Sequence, residues 1–200
     1  MSSLPTTSKG AATRELIVDR AYAIACRDGL EGLSIGELAQ AVGMSKSGVF
    51  AHFGSREGLQ LAVLESAARR FGEAVLIPAV RAPRGLARVR AMGQGWFDWV
   101  RDNRQGCLIH GAIGEFDSRP GPLHDAVVAL MQRWRDATSR AINMAVETGE
   151  LRSDTDAAQM SFEIFGIALA LHTDIRLFEP EVARAHADRA LERLLASQTP

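Results

Sequence analysis

Between Ser34 and Phe53 two short helical patterns stand with almost nothing between them: "SIGELAQAVGMSKSGVFAHF". Ser34 followed three residues later by Glu37 is a capping box that starts a helix, and Ile35, Leu38, Ala39 and Val42 give it an inner face. Gly43 ends that helix, and Ser45 can cap the next after the turn Gly43-Met44-Ser45. So short a connection forces a steep crossing, which leaves an apolar corner for a third helix to cover. The chain supplies one: Leu16, Ile17, Ala21, Ile24 and Ala25 recur at helical spacing from Thr13 onward, and Gly29 provides the stop. Val49, Phe50 and Phe53 are expected to anchor the second helix of the pair on the other two. Lys46, Ser47, Gly48 and His52 are then left at its exposed N-terminal end and outer face. Free backbone N–H groups there suit phosphate oxygens, and side chains there reach base edges in helix-turn-helix proteins. Gly48 lets a groove wall approach closely. The same spacing also fits a plain three-helix bundle with a solvated polar face.

Charge does not decide between these readings. The 200-residue chain has a net charge of −1, and its first sixty residues carry equal numbers of Lys/Arg and Asp/Glu. Any attraction to nucleic acid must come from where charges sit rather than from their sum. Cys26 and Cys107 form neither a disulfide framework nor a metal-binding spacing, so no metal or cofactor is expected. The opening "MSSLPTTSKGAATRE" has no apolar stretch, and the longest apolar run, Ile164 to Leu171, is too short to span a bilayer. A cytoplasmic protein without membrane contact is expected, with residues 1–11 as a flexible polar arm.

Residues 13–65, "TRELIVDRAYAIACRDGLEGLSIGELAQAVGMSKSGVFAHFGSREGLQLAVLE", resemble the N-terminal DNA-binding domain of the tetracycline-repressor (TetR) family. Thr-Arg-Glu opening the first helix, Gly29, Ser34, "ELAQAVGMSKSGVFAHF" and "GSREGL" opening a fourth helix all stand at the family's spacing. The resemblance implies an all-α homodimer that binds a double-stranded operator through residues 12–60. It implies a helical ligand-binding and dimerisation body over 61–200, and an operator usually released when a small molecule binds. Carried over position by position, the DNA contacts are Ser34, Ser45, Lys46, Ser47, Gly48, His52 and Arg56. Lys46 and Arg56 would anchor phosphates, while His52 would be the more informative contact. The family commonly has Tyr at position 50 and a polar residue at 51. Here Phe50 loses a phosphate contact and Ala51 offers only apolar contact.

The body reads as about six helices, with loops expected at "IPAVRAPRG", "RDNRQG", "DSRPGP" and "ETGELRSDTD". Cys107 and His110, three apart, would share a helical face, but no third metal ligand or orienting partner accompanies them. Aromatic residues concentrate here, and the family implies a ligand cavity. The expected lining is Trp96, Cys107, His110, Phe116, Trp134 and His172. In 156–178, Phe162, Phe165 and Leu169 mark one apolar stripe while Ile164, Ala168, Leu171, Ile175 and Phe178 mark another. A helix apolar on two sides needs partners on both. With an alanine-rich last helix opened by Pro180 and carrying Leu194, it would build a four-helix dimer seam, as the family does. The resulting reading is a ligand-responsive repressor that is not an enzyme. Its alternatives are a constitutive DNA-binding regulator and a redox sensor working through the Cys107 thiol.

Overall fold

A computed structural model describes residues 9–104 and 106–200. Among these, ten α-helices and one π-helical turn account for the regular structure. The chain divides into two compact units. Residues up to Ala68, with Leu108–Val127, form the first, and Arg69–Cys107 with Val128–Pro200 form the second.

The first unit contains α1 (Lys9–Asp28), α2 (Ile35–Ala41), α3 (Lys46–Phe53), most of α4 (Arg56–Phe71) and α7 (Leu108–Phe116). The helix boundaries follow from local chemistry. Gly29 takes φ +77 beyond α1 and returns its N–H to the Ala25 carbonyl at 2.9 Å, a stop that glycine adopts without strain. Ser34 accepts the Glu37 amide and Ser45 accepts the Gly48 amide, so both helices of the pair start on serine caps. Ile17, Leu30, Leu33, Leu38, Val49, Leu59 and Val63 are buried together in this unit's core.

Three expectations change here. Lys9, Gly10 and Ala11 belong to α1, so the part of the expected arm that lies within the described residues is helical. Leu16 is 50% exposed, because the buried face of α1 runs through Ile17, Val18, Ala21, Ile24 and Ala25 instead. Phe50 is 44% exposed; Val49 alone on α3 is buried, so Phe50 does not anchor the helix.

The second unit holds the end of α4, a π-helical turn (Gly72–Leu76), α5 (Ile77–Arg81), α6 (Leu86–Asp102), most of α8 (Pro122–Glu147), α9 (Ala157–Leu177) and α10 (Pro180–Gln198). Helical backbone is unbroken from Arg56 to Arg81, so the first half of "IPAVRAPRG" is not a loop. The Ile77 N–H bonds to the Gly72 carbonyl five residues back, and Pro78 follows at the start of α5. A proline near a helix start costs little, because its missing donor has no partner to lose. Asp156 caps α9 by accepting the Ala158 and Gln159 amides at 2.9 and 3.0 Å.

Helices α6, α9 and α10 pack on one another through Phe97, Ile164, Ala168, Leu191 and Leu195. Gly93 lets α6 and α10 come close: a Cβ there would meet Leu191 Cδ2 at 2.7 Å. The buried alanines Ala183 and Ala187 serve the same approach from α10.

Candidate nucleic-acid interface and aromatic cluster

The predicted contact residues converge on the two serine-capped helix starts. Ser45 and Ser47 hydroxyls lie 3.1 Å apart, with Ser45 also holding the Gly48 amide at 3.1 Å. The Lys46 stem passes over Gly36 of α2, where a Cβ would stand 3.2 Å from Lys46 Cε. Gly36 therefore leaves the lysine free to lie along the start of α2, beside Ser34. Ser34, Ser45, Lys46 and Ser47 are exposed, and Gly48 is half-buried. Together they present two hydroxyl-rich helix N-termini and one ammonium on the same side of the pair. That combination of backbone donors and a cation suits phosphate oxygens.

His52 is half-buried with its ring 6.3 Å from that of Phe53. Arg14 of α1 lies over the Phe53 ring at 5.1 Å, a cation–π contact that sequence reasoning missed. Arg56 is exposed, yet its guanidinium donates to the Glu31 carbonyl, so part of its donor set is spent inside the unit.

The six expected ligand-lining residues fall into both units. His110 and Phe116 are on α7, half-buried and buried respectively. Trp96, Cys107, Trp134 and His172 are buried in the second unit. Cys107 precedes α7 rather than belonging to it, so Cys107 and His110 do not share a helical face.

Only Trp96 and Trp134 of the six meet as rings, at 4.4 Å and 78°. Around them the structure adds Phe71, Trp99 and Phe165. Phe71 sets its ring nearly perpendicular to three indoles, at 5.5 Å from Trp96, 5.7 Å from Trp99 and 5.3 Å from Trp134. Such edge-to-face pairs add stabilisation beyond burial. Phe165 packs on Trp96 at 5.7 Å and carries the Arg135 guanidinium over its other side at 5.3 Å. The Trp99 and Trp134 indole nitrogens are buried without a hydrogen-bond partner. Phe71 was the residue without a sequence signal, since a single aromatic at the end of a long helix looks like ordinary core.

A separate cleft of about 360 Å³ lies within the second unit, lined by Val75, Ala79, Gln94, Gly95, Asp98 and Trp99 among others. None of the six expected residues lines it. Among the described residues, no group of three or more His, Cys, Asp or Glu side chains is placed to hold a metal ion. No described helix is long and apolar enough to cross a membrane.

Residues 11–63 match the family described as "Bacterial regulatory proteins, tetR family", and residues 85–191 match "Tetracyclin repressor-like, C-terminal domain". The chain belongs to the TetR family. It is a DNA-binding transcriptional regulator and not an enzyme. A TetR transcriptional regulator from Chloroflexus aurantiacus is 25% identical, with a TM-score of 0.88 over 96% of this chain and 98% of that one. AibR, solved with isovaleryl coenzyme A and operator DNA, is 23% identical with a TM-score of 0.70, covering 88% of this chain and 97% of its own. The ketosteroid regulator KstR2 of Mycobacterium tuberculosis is 17% identical with a TM-score of 0.66, covering 94% and 95%. A comparison with curated proteins finds no match.

Proposed function

We propose that this TetR-family regulator is a cytoplasmic homodimeric repressor that leaves its operator when a small apolar molecule binds. Residues 12–60 make the DNA contacts, through Ser34, Ser45, Lys46, Ser47, Gly48, His52 and Arg56. Residues 61–200 bind the effector and form the dimer. The observation that carries the reading is the placement of Phe71. It is the last residue of α4, whose first residue follows the end of α3 by only Gly54 and Ser55, and its ring is set against Trp96, Trp99 and Trp134. A molecule competing for that aromatic surface would act on α4 through Phe71. A ligand shifts an equilibrium only by its differential affinity for two states, and a coupling of about 1–3 kcal/mol changes affinity roughly five- to 150-fold.

The dimer seam belongs on the side of α9 away from its core. Phe162, Gly166, Ala170, Thr173 and Leu177 are exposed at three- and four-residue intervals, with Phe162 at 55% and Leu177 at 70%. A stripe of this kind on a soluble helix is accounted for by a partner surface.

The test starts with an operator recovered from random duplexes by selection on the full-length protein. Its affinity is then measured with isovaleryl coenzyme A and with a ketosteroid, the ligand classes named for the structural neighbours, alongside intrinsic tryptophan fluorescence. Release of the operator together with a changed tryptophan signal is expected from at least one class. Unchanged affinity and emission with both would favour a constitutive regulator. Changed emission without release would place binding apart from control.

A further inference from the structure

The dipeptide Leu30-Glu31 joins α1 to the helix pair, and side chains from two distant helices take all four of its backbone polar groups. The Leu30 N–H donates to Glu115 Oε1 at 3.2 Å and the Glu31 N–H donates to Glu115 Oε2 at 2.8 Å. The Leu30 carbonyl accepts the Gln60 side-chain amide at 2.7 Å, and the Glu31 carbonyl accepts from Arg56. Gln60 is only 4% exposed, and the Leu30 side chain is buried beneath it. Arg56 and Gln60 come from α4, but Glu115 comes from α7, 84 and 85 residues along the chain.

The neighbouring backbone is shaped around that carboxylate. Gly29 occupies a left-handed conformation, and a Cβ at this position would overlap Glu115 Oε1. Glycine is thus required twice over, for its φ and for the seat it leaves. One turn further along α7, Arg119 reaches the Glu31 carboxylate at 3.8 Å. The carboxylate does more than one amide cap could: it fixes two successive N–H vectors and so the direction in which the chain leaves α1. Bonds from ionised acceptors to backbone N–H groups are among the stronger ones a protein makes.

We propose that Glu115 is a positioning residue for DNA binding: from α7 it sets the α1–α2 turn, and thereby how the serine-capped ends of α2 and α3 are presented. It touches neither phosphate nor base. Rather, its loss leaves two amides to find water and lets the turn sample other directions, so specific binding, which needs one geometry, falls more than non-specific binding.

The experiment uses full-length protein, the selected operator, a random-sequence duplex, and amide hydrogen exchange in the absence of DNA. Glu115→Ala should raise exchange at Leu30 and Glu31 at least roughly tenfold while the cores of α1 and α4 stay protected. Operator affinity should fall roughly tenfold, and affinity for the random duplex should stay within about twofold. Glu115→Gln keeps one acceptor oxygen and should fall between. Gly29→Ala should be deleterious alone and cost less in the Glu115→Ala background, where the overlap is gone. Wild-type exchange and operator affinity in both Glu115 variants would overturn the proposal. So would equal loss on both duplexes, or exchange raised throughout the unit, since each marks a role in global stability only. Glu115→Gln and the Gly29 cycle carry the test if Glu115→Ala does not fold. A wild-type protein that selects no operator would instead refute the DNA-contact assignment, and is seen before any variant is made.

Discussion

Arg184 on α10 reaches Asp98 on α6 with Nη1 2.6 Å from Oδ1, while its Nε holds Asp188 one turn along its own helix at 3.0 Å. The Arg184 side chain is only 18% exposed and its guanidinium lies 5.7 Å from the centre of the Phe97 ring. Burial works against its charge, but the hydrogen bonds to Asp98 and Asp188 outweigh that and hold its pKa above the ordinary arginine value. One planar group therefore ties two helices and covers a core aromatic.

Arg184→Ala should destabilise the protein by about 1–3 kcal/mol in urea denaturation, through lost charged hydrogen bonds and lost cover over Phe97. Arg184→Lys should recover less than half of that, because an ammonium cannot serve both carboxylates with the fork's geometry. Equal stability of the Lys variant and the wild type would show that charge alone matters.

A second tie between the same helices gives a pH dependence. Arg90 on α6 donates to both oxygens of Glu192 on α10, at 2.7 and 2.9 Å. Its hydrogen bond lowers the Glu192 pKa, against a smaller opposing effect of burial. A depressed folded-state pKa means that this stabilisation is full above the ordinary glutamate range and disappears as pH falls through the lower folded value. Both side chains are more than a third exposed, so solvent screening limits the effect to about 0.2–1 kcal/mol. Glu192→Gln should accordingly lower the Tm slightly at pH 7 and leave it unchanged near pH 3. A deficit that persists at pH 3 would point to packing instead.

On DNA, Lys46→Ala should weaken binding to all sequences alike and flatten the salt dependence by close to one phosphate contact, a change of about 0.9 in the log–log slope. Filter binding at several salt concentrations reads both quantities. An unchanged slope with altered base preference would make Lys46 a reader of sequence.

For assembly, Ala170→Asp introduces a charge at an exposed position in the middle of the α9 stripe, where the isolated chain tolerates it. If the stripe is the seam, sedimentation should show folded monomers with greatly weakened operator binding. Folded dimers of this variant would move the seam elsewhere.

What the residues disclosed in advance was local chemistry. Ser34, Ser45 and Gly29 act within four residues of themselves, so their roles could be read from spacing. Errors arose where a neighbour outside the window decides. Leu16 sits one position off the buried face of α1, and Phe50 has the composition of an anchor but finds no pocket. Pro78 suggested a loop, although the helix had already widened before reaching it. Cys107 and His110 have helical spacing in the sequence, but the helix starts between them. Glu115 carried no signal, because its partners are backbone amides more than eighty residues away and any carboxylate on a surface helix looks alike. The aromatic cluster was half legible: Trp96 and Trp134 were expected to line a ligand cavity, whereas Phe71 depends on how α4 ends.

The wide turn at Gly72–Leu76 has a consequence for which changes in chain length the protein can accept. Four residues advance an α-helix by more than one full turn, so positions four apart drift steadily around its axis. A π turn spends an additional residue and cancels part of that drift. Phe71, Val75 and Ala79 accordingly all remain buried, at 6%, 1% and 2% exposure. Loss of a single codon anywhere in this turn would restore a regular helix and swing α5 by about 100°, carrying Val75 and Ala79 out of their seats. Phase along the helix, rather than the identity of any one side chain, is what these five residues preserve.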